Sequence, residues 1–309
     1  MSNQAEGCDE SDYVSLSAHL KEQAIDSDLA RLIQLVADKS KVVQRAFVTH
    51  ACLSDTDNIY GEKQMELDKY ADQVFLDAME KSALVKAFAS EEQDDVLGIR
   101  KAKGEFGVTI DPLDGSSLIE ANLAVGTIIG FFNEGNVMEK GKLMDASLIV
   151  LYGPITSLVY TAKKGVHMFV LNNKGEFELR KENIKIPTGK TYAMGGLRKD
   201  WTPQHTAFVE NLEKEGYKNR FSGSFSADLQ QILVNGGVFS YPALVNKPTG
   251  KLRLVFEGNP IALLAKQAGG LGTDGIRDLH EIEPEGLNHR VPIYVGGKKE
   301  IELAGKFLR

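Results

Sequence analysis

The sequence predicts an α/β chain in two parts, and three observations carry that expectation. From residue 124 to 160 the pattern is extended and apolar, with runs at 125–132 and 147–152. Segments 166–171 and 175–179 then bracket Asn172-Asn173-Lys174, the composition of a hairpin. Consecutive strands of this kind describe an antiparallel sheet rather than alternating βαβ units. After Pro187-Thr188-Gly189-Lys190 the character changes. Strands are expected at 192–194 and 238–241, and helices at 203–215, 228–234 and 260–268. The third observation is composition: 309 residues, 42% hydrophobic and 26% charged, are those of ordinary globular protein with room for two domains. The division is placed between 13–189 and 190–309, with the polar, acidic residues 1–12 expected to be disordered.

In chain order, Asp26-Ser27-Asp28 caps a helix over 29–47, with Leu29, Leu32, Ile33, Val36 and Ala37 on one face. A polar loop carrying Asp55 and Asp57 follows. Residues 61–68 lead into a second helix, in which Tyr70, Val74, Phe75 and Met79 recur at helical spacing. Residues 86–90 read as a strand ending on Glu91-Glu92, before an exposed acidic turn. The β-branched stretch 107–110 is the next strand, and Pro112, lacking an N–H, is expected to end it. Gly115-Ser116-Ser117 then offers a serine N-cap to a helix beginning at Leu118. Further on, 252–256 reads as an apolar strand with Lys251 and Arg253 on one face and Glu257 at its end.

Several function classes are disfavoured. The net charge of −7, from 36 Lys+Arg and 43 Asp+Glu, opposes general binding to nucleic acid or anionic membrane. No apolar run reaches the roughly 18–20 residues of a membrane span, and no secretory leader, transit peptide or C-terminal peroxisomal address is visible. Cys8 and Cys52 are too few for a disulfide framework or a cysteine metal site. A reducing, cytoplasmic setting is the default, with an organelle left open. The six histidines lack ligand spacing, and His205, His280 and His289 are expected on the surface. No Gly-x-Gly-x-x-Gly opens a βαβ unit.

The chemistry gathers at Asp111-Pro112-Leu113-Asp114-Gly115-Ser116-Ser117. Two carboxylates three residues apart suit a hard cation, and a helix N-terminus behind them suits a phosphate. The same residues also compose an ordinary capped turn. Glu91-Glu92 are adjacent like charges that need solvent or a cation between them. Asp68 and Glu257 serve equally as acids favouring a helix N-terminus. Lys251 and Arg253 beside Glu257 describe a pocket for a metal-bound phosphate.

Together Ser90-Glu91-Glu92, the 111–117 stretch, Arg220 to Asp228 (RFSGSFSAD), 250–254, and 256–260 followed by Ala268-Gly269-Gly270 resemble the fructose-1,6-bisphosphatase and sedoheptulose-1,7-bisphosphatase family, in order, over about residues 26–297. The resemblance implies a layered α-β-α-β-α fold with two mixed sheets. It also implies hydrolysis of a sugar 1-phosphate by bound Mg²⁺, with Mn²⁺ an alternative. It makes Glu91, Glu92, Asp111, Asp114 and Glu257 metal ligands, with the Leu113 carbonyl assisting. Asp68, Glu62 and Glu92 would orient or deprotonate the attacking water. Asp114, Gly115, Ser116 and Ser117, with Lys251 and Arg253, would hold the sugar and its 1-phosphate. Tyr241 and Arg220 would meet the distal phosphate, Arg220 from a neighbouring subunit of a homodimer or homotetramer, with Phe221 beside them in the substrate-binding set.

This chain also departs from the family pattern. Glu62 stands where an aspartate is usual, and Phe221 where a tyrosine is. Asp26-Ser27-Asp28-Leu29-Ala30 and Glu105-Phe106 replace the groups that hold AMP in regulated members, so AMP is expected to be repelled. Gly196-Leu197-Arg198 is more like the corresponding segment of sedoheptulose bisphosphatases, which makes Arg198 a candidate ligand of the distal phosphate. The seven-carbon substrate is therefore the leading expectation. An AMP-insensitive fructose-1,6-bisphosphatase is the alternative, and a non-catalytic anion-binding relative the remote one.

Overall fold

The computed structural model describes residues 13–49, 53–57 and 63–309. The expectation for residues 1–12, and the positions Cys52 and Glu62, lie outside them. Helices α1 (Leu16–Glu22) and α2 (Ser27–Ala46) open the described chain, and an antiparallel pair, β1 (Leu53–Asp57) and β2 (Lys63–Met65), leads into α3 (Glu66–Ser82). Asp26 caps α2 by accepting from the backbone N–H groups of Asp28 and Leu29. The first large sheet contains β3 (Val85–Ser90), β4 (Leu97–Gly98), β5 (Phe106–Asp114), β6 (Val125–Phe132), β7 (Ala146–Tyr152), β8 (Thr156–Thr161), β9 (His167–Leu171) and β10 (Phe177–Lys181). Its order is β10-β9-β8-β7-β6-β5-β3-β4, antiparallel throughout except that β3 and β5 run parallel.

The remaining chain supplies β11 (Thr191–Met194), α4 (Pro203–Lys214), β12 (Lys218–Asn219), α5 (Phe225–Asn235), β13 (Val238–Tyr241), α6 (Asn259–Gln267), β14 (Leu271–Thr273), β15 (Ile293–Gly296) and α7 (Lys298–Phe307). The second sheet has the order β12-β11-β13-β15-β14, in which β11 runs parallel to β12 and β13, and β15 antiparallel to β13 and β14.

Burial sorts these elements into layers. Leu32, Ile33 and Val36 of α2 and Phe75 of α3 pack on Val108, Ile129 and Leu148, one face of the first sheet. Its other face (Ile128, Ile149, Val159) packs on Leu229 of α5 and Ile261 and Leu264 of α6, which also touch Phe239, Ile293 and Val295 of the second sheet. The far face of that sheet (Met194, Val238, Tyr294) is covered by Phe208 and Leu212 of α4 and Ile301 of α7. The architecture is thus α-β-α-β-α with two mixed sheets, as the resemblance implies.

Four local expectations are corrected. Pro112 does not end its strand. β5 continues to Asp114 through a register shift between Asp111 and Asp114, where no ladder N–H is required of the proline, and Thr127 Oγ1 donates to the Pro112 carbonyl at 2.9 Å. No α-helix begins at Leu118; Ser116–Leu118 is a single 3₁₀ turn entered through Gly115 in the left-handed conformation, φ 81°. Residues 254–258 are not a strand but a π-helical turn running into α6, a wide turn that often marks functional sites. His205 and His280 are buried, 0% and 4% exposed, not on the surface. The first donates to or accepts from Tyr294 OH through Nδ1 at 3.0 Å, and the second donates from Nε2 to the Asn259 carbonyl at 3.0 Å.

Candidate active site

Parallel pairing of β3 and β5 aligns Ser90 with Ile110, so both strands release their next residues at the same end of the sheet. Glu91 N–H donates to the Ile110 carbonyl at 3.0 Å, which sets Glu91 beside Asp111. Glu92 N–H is held by Ser90 Oγ at 3.2 Å, and Gln93 Nε2 donates to Asp72 of α3 at 2.5 Å, pinning the acidic turn to the helix that carries Asp68. Asp111 folds back on its own turn, accepting from Leu113 N–H at 3.0 Å.

The second half of the molecule approaches from the opposite side. Residues 251–254 lie antiparallel to 289–291, with Leu254 N–H on the His289 carbonyl at 2.8 Å and Val291 N–H on the Leu252 carbonyl at 3.1 Å. The π turn then carries Glu257 back over its own start, where its Oε2 accepts from Arg253 N–H at 2.7 Å. Arg253, 3% exposed, crosses between the halves and donates from Nη1 to Glu91 Oε1.

The outcome is a cleft of about 450 Å³ lined on its acidic side by Asp68, Glu91, Glu92, Asp111, Asp114 and Glu257. Leu113, Gly115, Ser116, Ser117, Phe221, Tyr241, Lys251 and Arg253 complete the predicted set that the structure brings here. Lys251 Nζ lies 5.7 Å from the centre of the Tyr241 ring, the geometry of a cation over an aromatic face.

Carboxylate oxygens of Asp111, Asp114 and Glu257 lie within 4.8 Å of one another, all three residues buried. Burial, and then the neighbouring Glu91, Asp114 and Glu257 charges, push the Asp111 carboxyl well above its usual range. Burial and Glu91 likewise push Glu257 up to about 8. Three buried oxygen donors that repel one another form a donor set suited to a hard divalent cation.

Asp114 is bound differently. It sits at the N-terminus of α5, where its Oδ2 accepts from Ser224 Oγ (2.7 Å), Ser226 N–H (2.7 Å) and Ser226 Oγ (2.6 Å), and its Oδ1 from Phe225 N–H (3.1 Å). The helix terminus expected after Ser117 is absent; the one that lies here belongs to α5, and its Phe225 and Ser226 N–H groups are taken by Asp114. Gly115 permits the approach: a Cβ there would lie 2.8 Å from Ser224 Cβ. Asp228, buried in the first turn of α5, holds the preceding loop by accepting from Ser222 N–H at 3.0 Å, and burial pushes its carboxyl up to about 7.

Two predicted residues stand apart. Arg198 lies 3.4 Å from Glu210 and 3.6 Å from Glu213 of α4, with its guanidinium 5.5 Å from the Trp201 ring, and it does not line the cleft. Arg220 is exposed, and its backbone continues the second sheet through a 2.8 Å bond from its N–H to Tyr192. Conversely, Arg290 lines the cleft without having been predicted. Its Nη1 donates to the Lys251 carbonyl, so it buttresses the segment that presents Lys251.

Comparison with known proteins gives this geometry its family. A profile described as "Fructose-1-6-bisphosphatase, N-terminal domain" matches residues 14–182, and "Fructose-1-6-bisphosphatase, C-terminal domain" matches 186–309. The chain belongs to the fructose-1,6-bisphosphatase family. A class 1 fructose-1,6-bisphosphatase of Trichlorobacter lovleyi is 44% identical, covering 94% of this chain and 93% of its own length. One from Methanocorpusculum labreanum is 43% identical over 92% of this chain and 88% of its own. The crystal structure of Leishmania major fructose-1,6-bisphosphatase in holo form superposes with a TM-score of 0.90 at 28% identity, covering 96% of this chain and 99% of that one. The protein is accordingly a sugar-bisphosphate phosphatase of a metal-dependent family. Among the described residues no helix is long and apolar enough to cross a membrane.

Proposed function

We propose that the protein hydrolyses the 1-phosphate of fructose 1,6-bisphosphate with Mg²⁺ as its cation, and that Mn²⁺ can replace it. The observation that carries the reading is the meeting, in one cleft, of the buried Asp111, Asp114 and Glu257 carboxylates with Lys251 and Arg253. Glu91, Glu92, Asp111, Asp114, Glu257 and the Leu113 carbonyl are the groups that would hold metal. When bound, such a cation would neutralise phosphoryl charge and make the attacking water more acidic. Asp68, 4% exposed, and Glu92 are the chain's own candidates to orient that water or accept its proton. The backbone of Ser116 and Ser117, with Lys251 and Arg253, binds the phosphate to be cleaved. Tyr241 and Phe221 flank the rest of the sugar, and the exposed Arg220 is available to a neighbouring copy, which accords with a homo-oligomer.

The seven-carbon preference drawn from the sequence rested on Arg198. That side chain is engaged with α4, and the curated relatives quoted above carry the fructose name, so the six-carbon alternative becomes the main reading. Those relatives are bacterial or archaeal, which accords with the cytoplasmic setting read from the sequence. Phosphate release from fructose 1,6- and sedoheptulose 1,7-bisphosphate, measured in parallel with Mg²⁺ and with chelator, tests the proposal. A higher kcat/KM on the six-carbon sugar, abolished by chelator, is expected. The reverse order, or release that survives chelation, would overturn it.

A further inference from the structure

A second set of potential ligands lies far from the cleft. His19 of α1, His167 of β9 and Glu182, just beyond β10, place one ligand atom each within 4.8 Å of one another. β9 lies four strands along the sheet from β5, about 19 Å at about 4.8 Å per strand. Both imidazoles are 1% exposed, whereas the Glu182 side chain is 44% exposed, so the group has a buried floor and an open side.

Hydrogen bonds hold both rings in place. His167 Nε2 lies 2.9 Å from the Lys164 carbonyl, which can only accept, so Nε2 carries the proton and Nδ1 keeps its lone pair. That lone pair accepts from the Asn183 N–H at 3.5 Å, a long bond that a cation would have to replace. Burial, followed by the neighbouring His19, lowers the His167 pKa and keeps the ring neutral. His19 Nδ1 lies 2.8 Å from Tyr160 OH, and its Nε2 lies 3.3 Å from Glu182 Oε1, which also accepts from Gln23 Nε2 at 3.0 Å. Each imidazole thus has an oxygen partner on one nitrogen, Tyr160 OH for His19 and the Lys164 carbonyl for His167, the kind of contact that orients histidine metal ligands. The His19–Glu182 separation of 3.3 Å also matches the roughly 3.4 Å between two ligand atoms held tetrahedrally about 2.1 Å from one ion.

We propose that His19, His167 and Glu182 form a second cation site, selective for a borderline transition ion of the Zn²⁺ or Co²⁺ class, with solvent as the remaining ligand. Imidazole donors favour such ions over Mg²⁺, which the all-oxygen cleft suits better. Bound there, the ion would fasten α1 to the edge of the first sheet. Lys164 already assists that contact by donating to the Gln23 and Ala24 carbonyls at 2.7 and 2.9 Å.

The test is titration of the full-length protein with Co²⁺ and Zn²⁺ in saturating Mg²⁺, read by visible absorption and calorimetry. Wild type is expected to bind one equivalent that Mg²⁺ does not displace, with Co²⁺ bands of a low-symmetry nitrogen-containing site. Glu182→Gln, at an exposed position, should weaken it at least tenfold, and His167→Gln should abolish it, while Mg²⁺-dependent phosphatase activity of Glu182→Gln is unchanged. If His167→Gln fails to fold, Glu182→Gln decides alone. Absence of the extra equivalent, or its persistence in Glu182→Gln as binding at the Asp111 cluster would produce, overturns the proposal.

Discussion

Replacing Asp114 by asparagine tests whether one carboxylate both holds a cation and joins the two halves of the molecule. Its four accepted hydrogen bonds run from Ser224, Phe225 and Ser226 of the α5 terminus to the end of β5. An asparagine oxygen placed at Oδ2 keeps three of these as neutral bonds, each weaker by about 1 kcal/mol than one to a charged acceptor. Its NH₂ then faces the Phe225 N–H, and leaving that donor unsatisfied costs about 1–3 kcal/mol. The sum, about 4–6 kcal/mol, is comparable with the whole stability of many domains. Part of it is offset in metal-free protein, because the Asp114 charge helps raise the carboxyls of Asp111 and Glu257 and its removal relieves that repulsion. With Mg²⁺ present the relief disappears and a ligand is lost. Asp114→Asn should therefore be more destabilised relative to wild type in Mg²⁺ than in chelator, and turnover should fall about 10²–10³-fold or more. Urea unfolding in both conditions and phosphate-release assays read the two effects. Ser226→Ala is the control: it removes one hydroxyl donor, should cost about 1–2 kcal/mol, and should leave most activity. Turnover near normal, or a stability loss equal with and without Mg²⁺, would refute the assignment of both roles to this carboxylate.

Four further outcomes are expected. Arg198→Ala should change kcat and KM on either sugar bisphosphate by less than about twofold, since exposed pairs such as its contacts with Glu210 and Glu213 contribute little; a KM rise on the seven-carbon substrate alone would restore it as a specificity residue. Burial lowers His205 to about 3 and His280 to about 4, against about 6.5 in the unfolded chain, so their contribution is present above pH 6.5 and lost as pH falls toward the folded values. Asp228, pushed up to about 7, acts with the opposite sign, so the check is His205→Asn: its stability between pH 6 and 4.5 should fall less steeply than wild type by about 1.4 kcal/mol per pH unit, and identical slopes would refute the reading. Mg²⁺ affinity should rise between pH 6.5 and 8.5 as Glu257, pushed up to about 8, gives up its proton, and calorimetry in buffers of different ionisation enthalpy should show proton release; none at pH 7 would contradict it. AMP should inhibit poorly if, as the sequence resemblance implies, Asp28 and Glu105 replace the groups that hold its phosphate in regulated members, even though Arg31 and Lys86 pair with them; sub-millimolar non-competitive inhibition would count against this.

How far the site was legible depended on how local each signal was. The Glu91-Glu92 pair and the 111–117 stretch announced themselves because strand ends and turn residues are written in consecutive positions. The strand through Pro112 was misread because a missing N–H matters only where the ladder is regular, and the ladder shifts register between Asp111 and Asp114. The cap on Asp114 could not be found by spacing, since Ser224 and Ser226 lie 110 and 112 residues later. Arg290 was missed for the same reason: a lone arginine near the C-terminus reaches the cleft only through pairing with 251–254. The burial of His205 did leave a signal, because His205, Phe208, Val209 and Leu212 recur at helical spacing on the inner face of α4. The amphipathic α7 left a like signal in Ile301 and Ala304, three residues apart on its buried face.

The seam between the halves explains why charge and stability meet at one place. Away from the cleft, α5 and α6 join the two sheets through apolar contacts such as Ile128–Ile149 with Leu229, Ile261 and Phe239. At the cleft that packing is replaced by polar bridges: Arg253 to Glu91, and the α5 terminus to Asp114. Burying a charged pair carries a desolvation cost that its mutual attraction offsets only with further hydrogen bonds, so such bridges are a poor way to gain stability alone. They do fix the position of each carboxylate relative to the others, which a fluid apolar seam would not. The remaining imbalance is negative, since Asp111, Glu257 and Asp114 share the interior with Arg253 and each further carboxylate raises its neighbours' proton affinity. A proton relieves that imbalance by removing charge, whereas a divalent cation would relieve it while leaving the carboxylates ionised. On the proposed function, a cation held here would also complete the electrostatics of the seam, and the residues proposed to hold it would be structural and functional at once.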